Sequence, residues 1–179
     1  MLRMELSAKG ESTTVPQSTA IEQRVRQVLD GLAVPYELIP IDPAFADTAL
    51  FCERYGFPAD RSVNTIIVGS KKEPKRYCAC LVLATTRLDV NHAVRRLMGV
   101  SRASFASAED TVALTGMMIG GVTVFALPAE LPTYIDAQIM GLDYVILGGG
   151  SRSLKIKVSP EGLKRLSNTQ IVPALGVAL

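Results

Sequence analysis

Along this chain, short stretches of strand character alternate with amphipathic helical stretches, and the alternation never settles into a βαβ repeat. Tyr36 to Ile41, Val63 to Val68, Tyr77 to Ala84, Thr133 to Ile135, Tyr144 to Leu147 and Leu154 to Val158 read as strands. Ile21, Val25, Val28, Leu29 and Leu32 recur at helical spacing. Such a mixture predicts an α/β fold built on a mixed, partly barrel-like β-sheet with helices outside it. The 179 residues are 48% hydrophobic and 20% charged, enough to bury one sizeable core. The polar stretch Ser7 to Ser18 reads as a loose tail, which leaves residues 19–179 as a single domain.

Local signals place the helices. Thr19 and Glu22 have the spacing of a capping box opening the first one. A second runs from Asp47 to Tyr55 and stops at Gly56. Asp89 and Ser107 are N-cap candidates for a third and a fourth, and Ser159-Pro160-Glu161 opens a last one. Val63 to Val68 and Tyr77 to Ala84 are joined by the basic turn Ser70 to Arg76 and predict a hairpin. Pro40 confines the Tyr36 to Ile41 strand to a sheet edge. Leu154 to Val158 alternates Leu, Lys, Ile, Lys, Val, which predicts a strand with one wet face.

The chemistry-bearing residues are sparse. His92 is the only histidine and lies off the apolar face of its helix, so it reads as a solvated side chain and a Ser-His-Asp or Cys-His arrangement is disfavoured. Cys52, Cys78 and Cys80 read as free thiols, the last two on one side of a strand; with one His, a zinc site lacks ligands. No metal or other cofactor is expected. The net charge of +2 excludes a general polyanion coat, so any nucleic-acid contact must be local. Lys71, Lys72, Lys75 and Arg76 cluster in one turn, either solvated or gripping RNA phosphates. No apolar run reaches bilayer length and the N-terminus lacks a signal-peptide pattern, so a cytoplasmic protein is expected.

Two glycine runs stand out. Gly120-Gly121 allows the backbone to bend close to a ligand and expose N–H groups to a carbonyl or oxyanion, or else makes a bulge or tight turn. Gly148-Gly149-Gly150 ends a strand without a phosphate-loop pattern around it, which fits a turn or close passage beside a pocket.

Several ordered segments resemble the YbaK/ProX family, the editing domain also found inserted in bacterial prolyl-tRNA synthetases. GGVTVFALPAELPTYID (120–136) is similar to that family's GGVSPFGLP…PVYVD stretch, and GGGSRSLKIKVSPEGLKRL (148–166) to its GGG…LKL…SPEDL ending. SVNTIIV (62–68) matches its VKTLLV strand, and residues 86–116 its RLDLKKLAKALGV…LTG stretch. The resemblance implies a YbaK-type fold and hydrolysis of the ester of a mischarged aminoacyl-tRNA, without metal or triad. It implies aminoacyl-tRNA as partner, with a synthetase as a second one, and neither DNA nor a membrane.

By that resemblance the ester carbonyl rests on backbone N–H groups of Gly121, Val122 and Thr123, with Asn64 across from them. Thr65, Val124 and Gly148 to Gly150 complete the wall, and Asp136 takes the substrate amino group or merely caps the residues after it. Asn64 stands where the family has Lys, Val124 where it has Pro, and Ala126 where it has Gly. Two readings follow: a free-standing deacylase, or a catalytically inactive protein of the same fold that binds tRNA, an aminoacyl or nucleotide-like ligand, or a synthetase.

Overall fold

A computed structural model describes residues 17–179. Most of the expected tail, Ser7 to Ser18, lies outside the described residues. The first helix, α1 (Gln17–Leu32), already includes Thr19, so Thr19 is not its N-cap. Glu22 accordingly does not close a capping box; its carboxylate accepts the hydroxyl of Ser151, far along the chain.

The sheet is mixed and open. Strands β1 (Tyr36–Pro40), β2 (Val63–Ser70), β3 (Tyr77–Leu83), β4 (Thr86–Leu88), β5 (Ala103–Phe105), β6 (Thr133–Asp136), β7 (Val145–Gly148), β8 (Leu154–Val158), β9 (Thr169–Val172) and β10 (Gly176–Ala178) form three sheets ordered β5-β2-β3-β6-β9, β1-β8-β7 and β10-β4. β2 and β3 are the expected hairpin, with Val63 opposite Leu83 and Gly69 opposite Tyr77. β6 and β9 join it in parallel, which makes the five-stranded sheet mixed. A parallel bridge between Ser62 and Ile146 connects the larger sheets. The strands do not close into a barrel among the described residues. β1 pairs only with β8, the edge position its proline requires.

β3 explains the two cores. Ala79, Leu81 and Leu83 face a main cluster with Val25 and Leu29 of α1, Ile135, Leu147 and Ile156. Cys78, Cys80 and Val82 face a second cluster with Val68, Leu88, Val94 and Leu175. Buried on both faces, the strand reads as an unbroken apolar run. The Cys78 and Cys80 sulfurs lie 3.9 Å apart, and that contact together with burial holds the Cys80 thiol above its ordinary range.

The helices are short. α2 (Thr48–Tyr55) ends on left-handed Gly56, and α4 (Ala108–Thr115) starts under the Ser107 hydroxyl, which accepts the Asp110 N–H. Asp89 caps a π-turn, Val90–Val94, that runs into α3 (Arg95–Met98). α5 (Glu161–Lys164) is a single turn.

The two glycine runs meet. Gly150 N–H donates to the Gly121 carbonyl at 2.8 Å. A Cβ on Gly121 would lie 2.6 Å from the Ser151 carbonyl carbon, and one on Gly148 would strike the Val122 carbonyl oxygen. Both neighbours are backbone and cannot swing aside. Gly121→Ala and Gly148→Ala are therefore expected to cost about 2 kcal/mol or more each, or about 5 °C in Tm at this chain length. Gly31→Ala, in α1 with nothing near its Cβ, is expected to be neutral or stabilising. Thermal melts of the three variants check this; equal Tm values would refute the close crossing.

Candidate active site

A cavity of about 470 Å³ opens between β2, the loop after α4 and the segment leading into α2. The first residues of β2 form one wall, with Asn64 and Thr65 among them; Gly120, Val122 and Gly148 form another, and Lys155 of β8 reaches in as well. Residues from three distant parts of the sequence are thus brought together at the crossing of the two glycine runs.

The Gly120 loop is fixed from several sides. Its own turn is closed by Gly121 N–H on the Met118 carbonyl at 2.9 Å. Arg152 donates to the Ile119 carbonyl at 2.8 Å and to Pro43 at 3.2 Å. Lys155 donates to the Gly120 carbonyl at 3.3 Å, and Gly150 to that of Gly121. Gly120 adopts φ +93°, where a side chain would be strained and would also strike Arg152. The Gly121 N–H is therefore occupied within the loop. The N–H of Val122, a residue of the cavity wall, donates to no described residue.

The remaining polar groups divide sharply. Asn64 accepts the Thr48 hydroxyl through its side-chain oxygen at 2.6 Å, which leaves its NH₂ as a donor. The hydroxyls of Thr65 and Thr123 are buried without a partner among the described residues, an uncommon condition in a folded interior. Thr65 lines the cavity; Thr123 is fully buried behind the loop. Val124 begins a short 3-10 turn and packs into the main core. Gly149 and Gly150 lie behind Gly148, with Gly149 N–H on the Leu154 carbonyl and Gly150 against Ile21.

Asp136 is elsewhere. Its carboxylate is buried and accepts the N–H groups of Gln138 and Gly176, so it caps the 3-10 turn Ala137–Gly141 and ties down β10. The carboxylate in the cavity wall is Asp47 instead, at the entry to α2 and 3.8 Å from Arg152. His92 is exposed, with Nδ1 3.0 Å from Asp89, and borders separate grooves. Of the basic turn, Lys75 gives its ammonium to the Ser70 and Lys71 carbonyls, while Lys72 and Arg76 are exposed and are not part of this cavity's wall.

Lys155 corrects the expectation of a wet face on β8. It is 6% exposed, and its ammonium donates to the Ala46 carbonyl at 2.7 Å. Phe51 lies beneath it, 5.5 Å from the ring centre. Burial brings its pKa down to about 8, against the opposing pull of Asp47 and with help from Arg152. Nothing in the alternation Leu-Lys-Ile-Lys-Val distinguishes it from Lys157; only the placement of α2 over β8 does.

This depressed pKa links folding to pH. Between about 8 and the ordinary lysine value the unfolded chain holds a proton that the folded chain has released, so this residue's contribution to stability rises with pH there. Below pH 8 the buried charge weighs fully against the fold. Relative to Lys155→Met, the wild-type protein is expected to gain Tm between pH 8 and 10.5; a Tm difference that stays constant across that range would refute the assignment.

Comparison with known proteins follows the same geometry. A crystal structure of a proposed trans-editing enzyme for prolyl-tRNA synthetase superposes with a TM-score of 0.72 at 22% identity, covering 90% of this chain and 98% of that one. A second, of a hypothetical protein, gives 0.76 at 22% identity over 86% and 99%. At such identity these show a common fold. EbsC of Enterococcus faecalis, described as a proposed Cys-tRNA(Pro)/Cys-tRNA(Cys) deacylase, is 24% identical over 119 residues, 66% of this chain and 70% of that protein. The model of the aminoacyl-tRNA editing domain matches residues 42–166, a span that holds every wall of the cavity, and the chain belongs to that family.

Proposed function

We propose that the chain is an aminoacyl-tRNA deacylase that acts in trans, in the cytoplasm, on the ester of a mischarged tRNA. The observation that carries this reading is the free Val122 N–H beside the donors of Asn64 and Thr65, in one cavity of an editing-domain protein. The cavity fits the end of an aminoacylated strand. Val63, Ile67, Ala106 and Ile119 supply an apolar wall, while the polar groups lie along one side. The ester carbonyl rests on the Val122 amide, which is held in place by the braced loop and needs no rearrangement as charge develops.

Asp47 takes the role first given to Asp136 and pairs with the cationic α-amino group. Water adds to the carbonyl carbon, assisted by the neighbouring ribose hydroxyl, and the acyl–oxygen bond breaks. The ribose oxygen takes up the proton as the free amino acid leaves. No imidazole is required, in keeping with the distance of His92 from the cavity.

The tRNA itself lies across the adjoining surface. Phe105, 61% exposed, borders both the cavity and a second groove of about 700 Å³. Lys71 and Arg87 line that groove, and Arg95 and Arg102 line its continuation past His92. Cations beyond an exposed aromatic suit a strand whose last base stacks and whose phosphates continue outward. Lys71 thus joins a different set of partners from Lys72, Lys75 and Arg76.

Incubation with a panel of mischarged tRNAs is expected to release amino acid from at least one above the protein-free rate, and Asp47→Asn is expected to raise KM roughly tenfold, as for a lost charged hydrogen bond. Inactivity across the panel with tRNA binding retained would make the protein a binder of the same fold. Binding of tRNA should weaken linearly in log salt, and Lys71→Ala or Arg102→Ala should each reduce the slope by roughly one. Salt-independent affinity would remove the groove from the interface.

A further inference from the structure

Lys155 is a buried cation without an ion-pair partner among the described residues. Its ammonium has three N–H donors, of which two are given to the Ala46 and Gly120 carbonyls. The carboxylate that acts on its charge, Asp47, is mostly exposed and makes its close contact with Arg152. Removing an ammonium from water is costly, and the cost is recovered only where a negative charge meets it. Carbonyl oxygens recover part of it and Asp47 acts on it at a distance, but no carboxylate among the described residues pairs with it.

The position of this charge is specific. Lys155 lines the same cavity as Val122 and Asn64, and the carbonyl it holds, Gly120, is two residues from the free Val122 N–H. It braces the loop with two donors and has a third not engaged by any described residue. A phosphate, strongly hydrated and bearing a permanent charge, suits the exposed cations of the outer groove. A charge that exists only while the ester reacts suits an ammonium screened from water, where an opposite charge is worth most.

We propose that Lys155 is a catalytic residue of the cavity, its remaining N–H joining Val122 in holding the oxyanion formed when water adds to the ester carbonyl. This rests on the deacylase reading for its substrate but not for its test. The charged and titratable groups around the ammonium are the Asp47 carboxylate, the Arg152 guanidinium and the Cys52 thiol, the first and last at the start and middle of α2 and the second in the turn before β8. Asp47 and Arg152 already offset one another, so the net positive charge facing the substrate is that of Lys155.

The test uses two stable probes and two variants of the full chain. The probes are 3′-alanylamino-adenosine, a stable mimic of the ester whose amide is uncharged, and the matching 3′-phosphonate with the same α-amino group, a tetrahedral mimic that is anionic at the reacting centre. Lys155→Met removes the donors and the charge; Lys155→Gln keeps N–H donors for the braced carbonyls while removing the charge. The wild-type protein is expected to bind the phosphonate roughly 10²-fold or more tighter than the amide, the scale of one oxyanion donor. Both variants should lose that preference while binding the amide within about threefold, and in Lys155→Gln the Tm should stay within about 5 °C.

In single-turnover deacylation the loss should fall on kcat, with KM little changed. A wild-type protein indifferent between the probes, or a Lys155→Gln variant that retains the preference, overturns the proposal. A wild-type protein that prefers the phosphonate yet releases no amino acid from any tRNA overturns the deacylase reading and leaves the anion site standing.

Discussion

The structure depends on how the loop 118–122 is held. The carbonyls of Met118, Ile119, Gly120 and Gly121 all have partners: the loop's own turn, Arg152, Lys155 and Gly150. With these oxygens engaged, the N–H of Val122 that follows is left without an acceptor among the described residues. This is the backbone equivalent of a locked side chain, and it requires glycine at the points where two strands of backbone cross at atomic contact. Gly121, Gly148 and Gly150 therefore belong to one device, although nearly thirty residues separate the first from the others.

Much of this was legible in the sequence, for reasons that can be named. The β2-β3 hairpin showed because β3 is buried on both faces and reads as continuous apolar chain. The ends of α2 and α4 showed because Gly56 and Gly116 adopt the left-handed conformation that ends helices. Four strands gave no signal: β4, β5 and β10 have three residues each, too short for any period, and β9, with Gln170 and Ile171 exposed at its centre, lacks the buried apolar run that marked β7. Of the site, the Asn64-Thr65 and Gly120-Val122 segments were legible by resemblance to a family pattern.

Lys155, Asp47 and Phe105 were not, because their roles come from tertiary placement. A lysine in an alternating strand looks solvated until something covers it. Asp136 shows the converse: of its two readings the cap of the following turn is the one realised, its carboxylate being spent on two backbone N–H groups. The Thr19 and Glu22 spacing satisfied a local rule that a long-range contact with Ser151 overrode. Local signals in this chain report elements well and partners poorly.

The order of strands has a consequence for how the protein is made. β1 pairs with β8, β3 with β6 and β4 with β10, so each early strand waits for one that is synthesised much later. Until the chain past residue 155 has left the ribosome, the cavity lacks the lysine, the Gly148 wall and the brace on its loop. The nascent N-terminal half meanwhile presents the unpaired edges of β1 and β3, surfaces that other nascent chains can join. Such a topology makes the site an all-or-none product of complete synthesis: a prematurely terminated chain is a burden for chaperones rather than a partly working editor.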